Sequence, residues 1–336
     1  MVTKRPGIKA VAERAGVSVG TVSNVLNRPE QVSAAIRRRV ALAMAELGFV
    51  RNSSASTLKA GRSRSLGLVV LDIDNPFFTA VARGVEQTAR ERGYAVLLCN
   101  SDESHLRQDE LLTFLEEQRV AGVLITPVDG DQRRLDLLRS RGTAVVTVDE
   151  PSSDGYCSVA VDDVSGGAAA AQHLLATGRR RIVYVTGPDT IRQCVERGVG
   201  LQQAIAAAGG DPHEDLRRIV IPALNGGRGH RAVGKLLADG HPDAVFCAND
   251  VVALGVLRGL LEAGVSVPAD VALVGYDDIE FAATAAVPLT SVRQPARQIG
   301  RTAATLLLEE VSHPGEHAHR QVVFRPELII RQSSGG

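Results

Sequence analysis

Five groupings of side chains in this sequence have the types and spacing for chemistry. Asp74, Asn75, Asp149, Asn249 and Asp277 each fall just past an apolar run of strand length. Carboxylates and amides gathered in that way hold the hydroxyls of a polar ligand. The segment GVSVG (16–20) matches the G-x-S-x-G turn that presents a serine nucleophile. His313, His317 and His319 crowd the stretch SHPGEHAH, where imidazoles could hold a metal ion. Cys99, Cys157, Cys194 and Cys247 are scattered, without a CxxC or a metal-ligand pairing, and read as reduced buried thiols. Last come Val19, Gly20, Ser23 and Asn24, spaced to share the outer face of a short helix.

The elements that must position these residues decide among the chemistries. A nucleophile elbow needs a strand before its serine, and Ser18 follows a helical pattern instead. Val11, Ala12, Val17, Val22, Val25 and Leu26 are apolar at helical spacings on either side of Gly16. They predict two short helices packed at a steep angle, with Gly16 permitting the turn and Ser18 capping the second helix. A third helix is predicted over 33–47, where Ile36, Val40, Ala43, Met44 and Leu47 repeat at three and four residues and Gly48 ends the run. That packing leaves Val19, Gly20, Ser23 and Asn24 outward at the start of the second helix, where a helix-turn-helix protein meets base edges in the major groove. Residues 18–27 are therefore read as a DNA recognition helix, and the histidine stretch as a solvated loop with no metal.

Charge supports a partner made of phosphates. The 336 residues sum to zero, but residues 1–64 hold twelve Lys and Arg against three Glu, so a head of +9 sits on a body of −9. A basic head binds the nucleic acid backbone while an acidic body stays off it. Aromatics are 3% and Trp is absent, which excludes an extended stacking surface for single strands. The first ten residues lack the apolar core of an export signal and no apolar run is long enough to span a membrane, so a cytoplasmic protein is expected. The stretch RNSSASTLKAG (51–61) is too polar to fold alone and reads as a linker.

From residue 66 apolar runs alternate with amphipathic helices. Strands are predicted at 66–72, 94–99, 121–126 and 144–149, then at 182–187, 220–222, 244–250 and 271–278. Helices are expected near 77–92, 105–118, 132–140, 164–177, 194–208, 228–239 and 250–263. Such alternation predicts two successive doubly wound parallel sheets, whose ligands bind beyond the carboxyl ends of the strands. A phosphate loop and a G-x-G-x-x-G turn after a strand are both missing, which argues against an enzyme on this body and implies no cofactor.

The chain resembles the LacI/GalR family of bacterial transcription regulators over nearly its whole length. The resemblance rests on AGVSVGTVSNVLN (15–27), ELGFVRN (46–52), LKAGRS (58–63), DNPFF (74–78), CAND (247–250), GYDD (275–278) and PLTSVRQP (288–295). It implies an all-α helix-turn-helix domain over 1–50, a hinge helix and linker over 51–64, and a periplasmic-binding-protein-like α/β body over 65–336. Within the body it implies an N-subdomain of about 65–162 and 293–324 and a C-subdomain of about 163–292 and 325–336. It also implies a homodimer on double-stranded, pseudo-palindromic operator DNA. DNA contacts would come from Ser18, Val19, Gly20, Thr21, Ser23, Asn24 and Asn27, and in the hinge from Asn52, Ala55 and Leu58, the last wedged into the minor groove. A carbohydrate-like effector would sit among Asn75, Phe77, Phe78, Asp149, Arg197, Asn249, Asp277 and Gln294.

Three departures from the family pattern stand out. Asn24 replaces a common arginine, Ala10 a usual aspartate, and Glu150 stands where pentose-binding relatives often carry arginine. The implied effector is an inducer that releases DNA or a corepressor that tightens it, the first being preferred. A protein corepressor or phosphorylated metabolite is the alternative, and a periplasmic sugar-binding protein is the rival that the basic head disfavours. The end of the chain, IIRQSSGG, carries no leucine heptad, so a dimer is expected rather than a tetramer.

Overall fold

The computed structural model describes residues 6–49, 63–129, 132–151, 155–238 and 240–335. They belong to two compact units, Met1–Ser63 and Arg64–Gly336.

The first unit is a trihelical core. Helix α1 (Ile8–Ala15) ends at Gly16, whose φ of +62° reverses the chain at a geometry that favours glycine. Ser18 is extended and its Oγ accepts the Thr21 N–H at 3.0 Å, which starts α2 (Val19–Asn27). A one-turn 3₁₀ helix, Pro29–Gln31, leads to α3 (Ala34–Leu47), and Gly48 ends it at φ +58°. Val11, Ala12, Ala15, Val22, Val40 and Ala43 are buried together, ringed by Val17, Val25, Leu26, Ile36, Met44 and Leu47. Arg39 of α3 donates to the Ala15 and Gly16 carbonyls at 2.9 to 3.1 Å. It thereby satisfies acceptors that the end of α1 leaves open and locks the first turn to the third helix.

The second unit holds two six-stranded sheets. The chain runs β1 (Ser65–Val70), α4 (Pro76–Glu91), β2 (Ala95–Asn100), α5 (His105–Glu117), β3 (Gly122–Ile125), α6 (Arg133–Ser140), β4 (Ala144–Val148) and β5 (Cys157–Val161). It continues through α7 (Asp163–Ala176), β6 (Ile182–Thr186), α8 (Arg192–Ala207), α9 (Pro212–Asp215), β7 (Leu216–Val220), α10 (Gly226–Ala238), β8 (Ala244–Cys247), α11 (Asp250–Glu262) and β9 (Ala272–Asp277). Then come α12 (Glu280–Thr284), β10 (Thr290–Arg293), α13 (Ala296–Ser312), β11 (Gln321–Phe324) and β12 (Glu327–Ile329). The first sheet has the order β11-β5-β4-β3-β1-β2, the second β12-β10-β9-β8-β6-β7. Every pairing is parallel except β10 with β12. The chain passes between the sheets after β5, after β10 and after β11.

One strand lies away from its predicted place. The strand expected at 220–222 is β7, Leu216–Val220. It sits at a sheet edge, where Arg217 and Arg218 are tolerated, so its apolar signal is weak, and Pro222 cannot donate to a continuing ladder.

Three helix pairs cross backbone against backbone through reciprocal glycines. A Cβ at Gly84 of α4 would lie 2.2 Å from the Arg297 carbonyl oxygen, and one at Gly300 of α13 would lie 2.1 Å from that of Val81. Gly167 and Gly200 do the same for α7 and α8, and Gly229 and Gly255 for α10 and α11. The crossing of α7 and α8 brings Asp163 against Arg197, which sets up the polar centre of the body.

Candidate nucleic-acid interface and ligand cleft

The outer face of α2 carries few side chains, and the described contacts explain how they are held. Val19 is 41% exposed, and Gly20 and Asn24 are also exposed. Thr21 is tied to the cap, its Oγ1 lying 2.9 Å from the Ser18 Oγ. Asn27 donates to the Ser23 carbonyl at 2.9 Å and to the Ser23 Oγ at 3.2 Å, so these two side chains form one polar ridge. Val19 can meet a thymine methyl and Asn24 can bond a base edge. Asn52, Ala55 and Leu58 lie outside the described residues.

In the body, Asn75, Asp149, Asn249 and Asp277 converge between the two sheets, whereas Asp74, also past a strand end, is exposed and does not border the cleft. Asn75 caps α4, accepting the Phe77 N–H at 3.0 Å, and donates across the cleft to Asp277 Oδ2 at 3.1 Å. Gln294 donates to the other oxygen of Asp277 at 2.7 Å. Asn249 caps α11 through the Val252 N–H at 2.9 Å. Asp149, at φ +58°, accepts from Gln193 Nε2 at 3.3 Å through Oδ2, while its Oδ1 is buried with no hydrogen-bond partner in the described structure. Phe77 and Phe78 meet edge to face at 5.1 Å. They border a cleft with about 430 Å³ of space not filled by atoms, part of it open to solvent. Seven of the eight positions named from sequence border it; Gln294 does not, and stands behind Asp277 instead.

The cleft is electrically lopsided. Among the described residues, Asp72, Glu103, Asp149 and Asp277 line it against a single cation, Arg197. Arg197 donates to Asp163 at 2.8 Å and stacks 3.6 Å over the Tyr276 ring. Burial opposes that charge, but Asp163, Tyr276, Asp277 and Asp149 around it hold the guanidinium firmly protonated. Burial raises Asp149, and the nearby Asp163 charge adds to it. Burial also raises Asp277 to about 6, although Arg197, Asn75 and Gln294 favour its anion. Glu103 rises to about 7 for the same reason while accepting the Leu224 N–H at 3.2 Å from the opposite side of the cleft. Glu150 rises to about 7 by burial, and Arg192 at 3.8 Å only partly restores its charge.

Sequence reasoning missed Gln193, Glu103, Asp72 and Asp163. Asp72 was legible in principle, since it follows the apolar run of β1, and Glu103 follows β2 by three residues. Gln193 sits in the first turn of α8, and only the approach of the two sheets brings it to Asp149.

Known proteins resemble this chain in sequence and in fold. Residues 7–52 match the profile of the bacterial regulatory proteins of the lacI family, and residues 171–334 that of a periplasmic binding protein-like domain. The HTH-type transcriptional repressor PurR of Photobacterium profundum is 33% identical over 329 residues, covering 97% of this chain and 98% of its own length. The chain belongs to the LacI family. The ribose operon repressor of Escherichia coli (strain K12) is 34% identical over 330 residues, 97% of this chain and 99% of the repressor. Among solved structures, a complex of the transcriptional regulator CelR with cellobiose is 34% identical with a TM-score of 0.71, covering 98% and 100% of the two chains. The lac repressor dimer bound to operator and the anti-inducer ONPF is 26% identical with a TM-score of 0.83, covering 98% and 99%. As a LacI-family member the protein is a ligand-responsive, DNA-binding transcriptional repressor, with the helix-turn-helix head and the periplasmic-binding-protein-like body expected from its sequence. No helix among the described residues is long and apolar enough to cross a membrane.

Proposed function

We propose that the repressor acts as a cytoplasmic homodimer whose two α2 helices read adjacent major grooves of a two-fold symmetric operator, and that an uncharged carbohydrate in the cleft sets its DNA affinity. In this reading Val19, Gly20 and Asn24 face base edges, Ser18, Thr21, Ser23 and Asn27 support the helix and backbone contacts, and Asn52, Ala55 and Leu58 act at the minor groove. Asn75, Asp149, Arg197, Asn249 and Asp277 bind hydroxyls, Phe77 and Phe78 cover the apolar face of the sugar ring, and Gln294 orients Asp277.

The observation that carries the effector class is the charge of the cavity. Four acidic side chains face one arginine that is already ion-paired, so a phosphate or carboxylate on the ligand would meet carboxyl groups and no free cation among the described lining residues to offset its charge. The unpartnered Oδ1 of Asp149 is a ready acceptor for a hydroxyl. The ribose operon repressor and the cellobiose-bound regulator among the relatives favour the same chemical class. Glu150, buried beside Asp149 and facing Arg192, puts an acidic group where pentose-binding relatives often carry a cation. Calorimetric titration with paired neutral and phosphorylated sugars tests the proposal. Binding of a neutral sugar that shifts operator affinity is the expected result, and binding of phosphorylated sugars alone would refute it.

A further inference from the structure

Outside the head and the cleft, one cluster gathers side chains that ligate metals. Cys157 opens β5, and His317 and His319 lie on the loop that returns from α13 to β11. The parallel register of β11 on β5, Gln321 opposite Ser158, lays the end of that loop across the cysteine. The Cys157 Sγ lies 3.0 Å from His317 Nε2 and 3.9 Å from His319 Nδ1, and the three donor atoms are all within 4.8 Å of one another. Tetrahedral Zn²⁺, with bonds of about 2.3 Å to sulfur and about 2.0 Å to nitrogen, sets donor separations of roughly 3.3 to 3.5 Å. Small side-chain rotations reach that geometry.

A second observation points to the same place. Glu310 of α13 has a buried Oε2 with no hydrogen-bond partner in the described structure, and its charge acts on the Cys157 thiol. We propose that Cys157, His317 and His319 bind Zn²⁺, with solvent completing its coordination, and that the ion fastens the 313–320 loop to the edge of the first sheet. Binding replaces the thiol proton with an S–Zn bond and releases that proton to solvent. The thiolate offsets one of the two charges of the ion, and the Glu310 carboxyl, whose charge acts on that sulfur, offsets part of the other. Arg139 competes: it donates to His319 Nε2 at 3.2 Å, which leaves the ring proton on Nδ1. When the ion takes Nδ1, the proton moves to Nε2 and Arg139 withdraws over the Tyr156 ring, whose centroid lies 5.4 Å from the Arg139 Cζ.

The test is titration of the reduced full-length protein with Zn²⁺, and with Co²⁺ as a spectroscopic substitute. One ion per protomer is expected, with a thiolate-to-cobalt charge-transfer band in the near ultraviolet that Cys157→Ser abolishes. His317→Ala and His319→Ala, in a loop rather than the core, each weaken Zn²⁺ binding at least about tenfold. Arg139→Ala strengthens it, and His313→Ala leaves it unchanged. Absence of the charge-transfer band in the reduced protein, or Zn²⁺ affinity that survives both histidine substitutions, would overturn the site and leave the cluster as a thiol hydrogen-bonded to imidazole.

Discussion

Gly20→Ala separates what the head needs to fold from what it needs to read DNA. Gly20 is the second residue of α2, and a methyl there would meet only the Ser18 Oγ, at 3.6 Å, an ordinary contact. Its φ lies outside the left-handed range, so the backbone does not require glycine. Alanine should therefore stabilise the helix by about 0.5–1 kcal/mol, the usual propensity difference. For a unit of this size that raises the midpoint of head unfolding by about 2–8 °C in calorimetry. The same methyl would project from the face assigned to base edges. The preference for one or two base pairs in each half-site should change by about 1–3 kcal/mol. The slope of log affinity against log salt should stay fixed, because the phosphate contacts are untouched. Fluorescence anisotropy titrations on a selected operator and its single-base variants, at several salt concentrations, read both quantities. A head that is less stable with alanine would refute the packing argument, and an unaltered base preference would remove Gly20 from the reading surface.

The body should lose stability as the medium becomes basic. Glu103 and Glu150 at about 7 and Asp277 at about 6 hold protons in the folded state that the unfolded chain releases near its ordinary carboxylate values. Their contribution is greatest below about pH 4.5 and is lost as pH rises through about 7. The urea midpoint of the body should thus fall between about pH 5 and pH 8, and Glu103→Gln, which keeps an acceptor for Leu224, should flatten that decline; parallel pH profiles for the two proteins would contradict the assignment. Gly200→Ala would put a methyl 2.0 Å from the Val164 carbonyl oxygen, and overpacking should destabilise the body by about 1–3 kcal/mol or more in chemical denaturation. Asn75→Ala removes a helix cap and a bond across the cleft, so thermal unfolding should show a loss of about 1 kcal/mol, with weaker sugar binding by calorimetry.

The head was legible because its cues are local. Gly16 and Ser18 mark a turn and a cap, and the apolar positions on both sides repeat at helical spacing, so three helices and their core follow without tertiary information. Periodicity also revealed most strands of the body, and four of the five polar residues singled out just past them, Asp74 excepted, reach the cavity because parallel sheets end there. The edge strand β7 was misplaced since edges tolerate arginine, and the 3₁₀ turn at Pro29–Gln31 carries no periodic signal. Helical glycines such as Gly84 and Gly200 look like propensity penalties in sequence, and only the partner helix shows that they permit backbone contact. The same limit hid Gln193, and it hid Cys157 beneath His317, 160 residues apart in the chain.

In the proposed mechanism two heads read one symmetric DNA element while the cleft controls their grip. Selection of binding sites from random duplex DNA by the full-length protein, at physiological salt, measures this most directly when each selected sequence is then titrated with and without the neutral sugar that binds the body. A two-fold symmetric sequence whose affinity changes with the sugar is expected, with an equal change in sugar affinity when the DNA is bound. Enrichment of a single asymmetric site, or operator affinity indifferent to a sugar that demonstrably occupies the cleft, would contradict it.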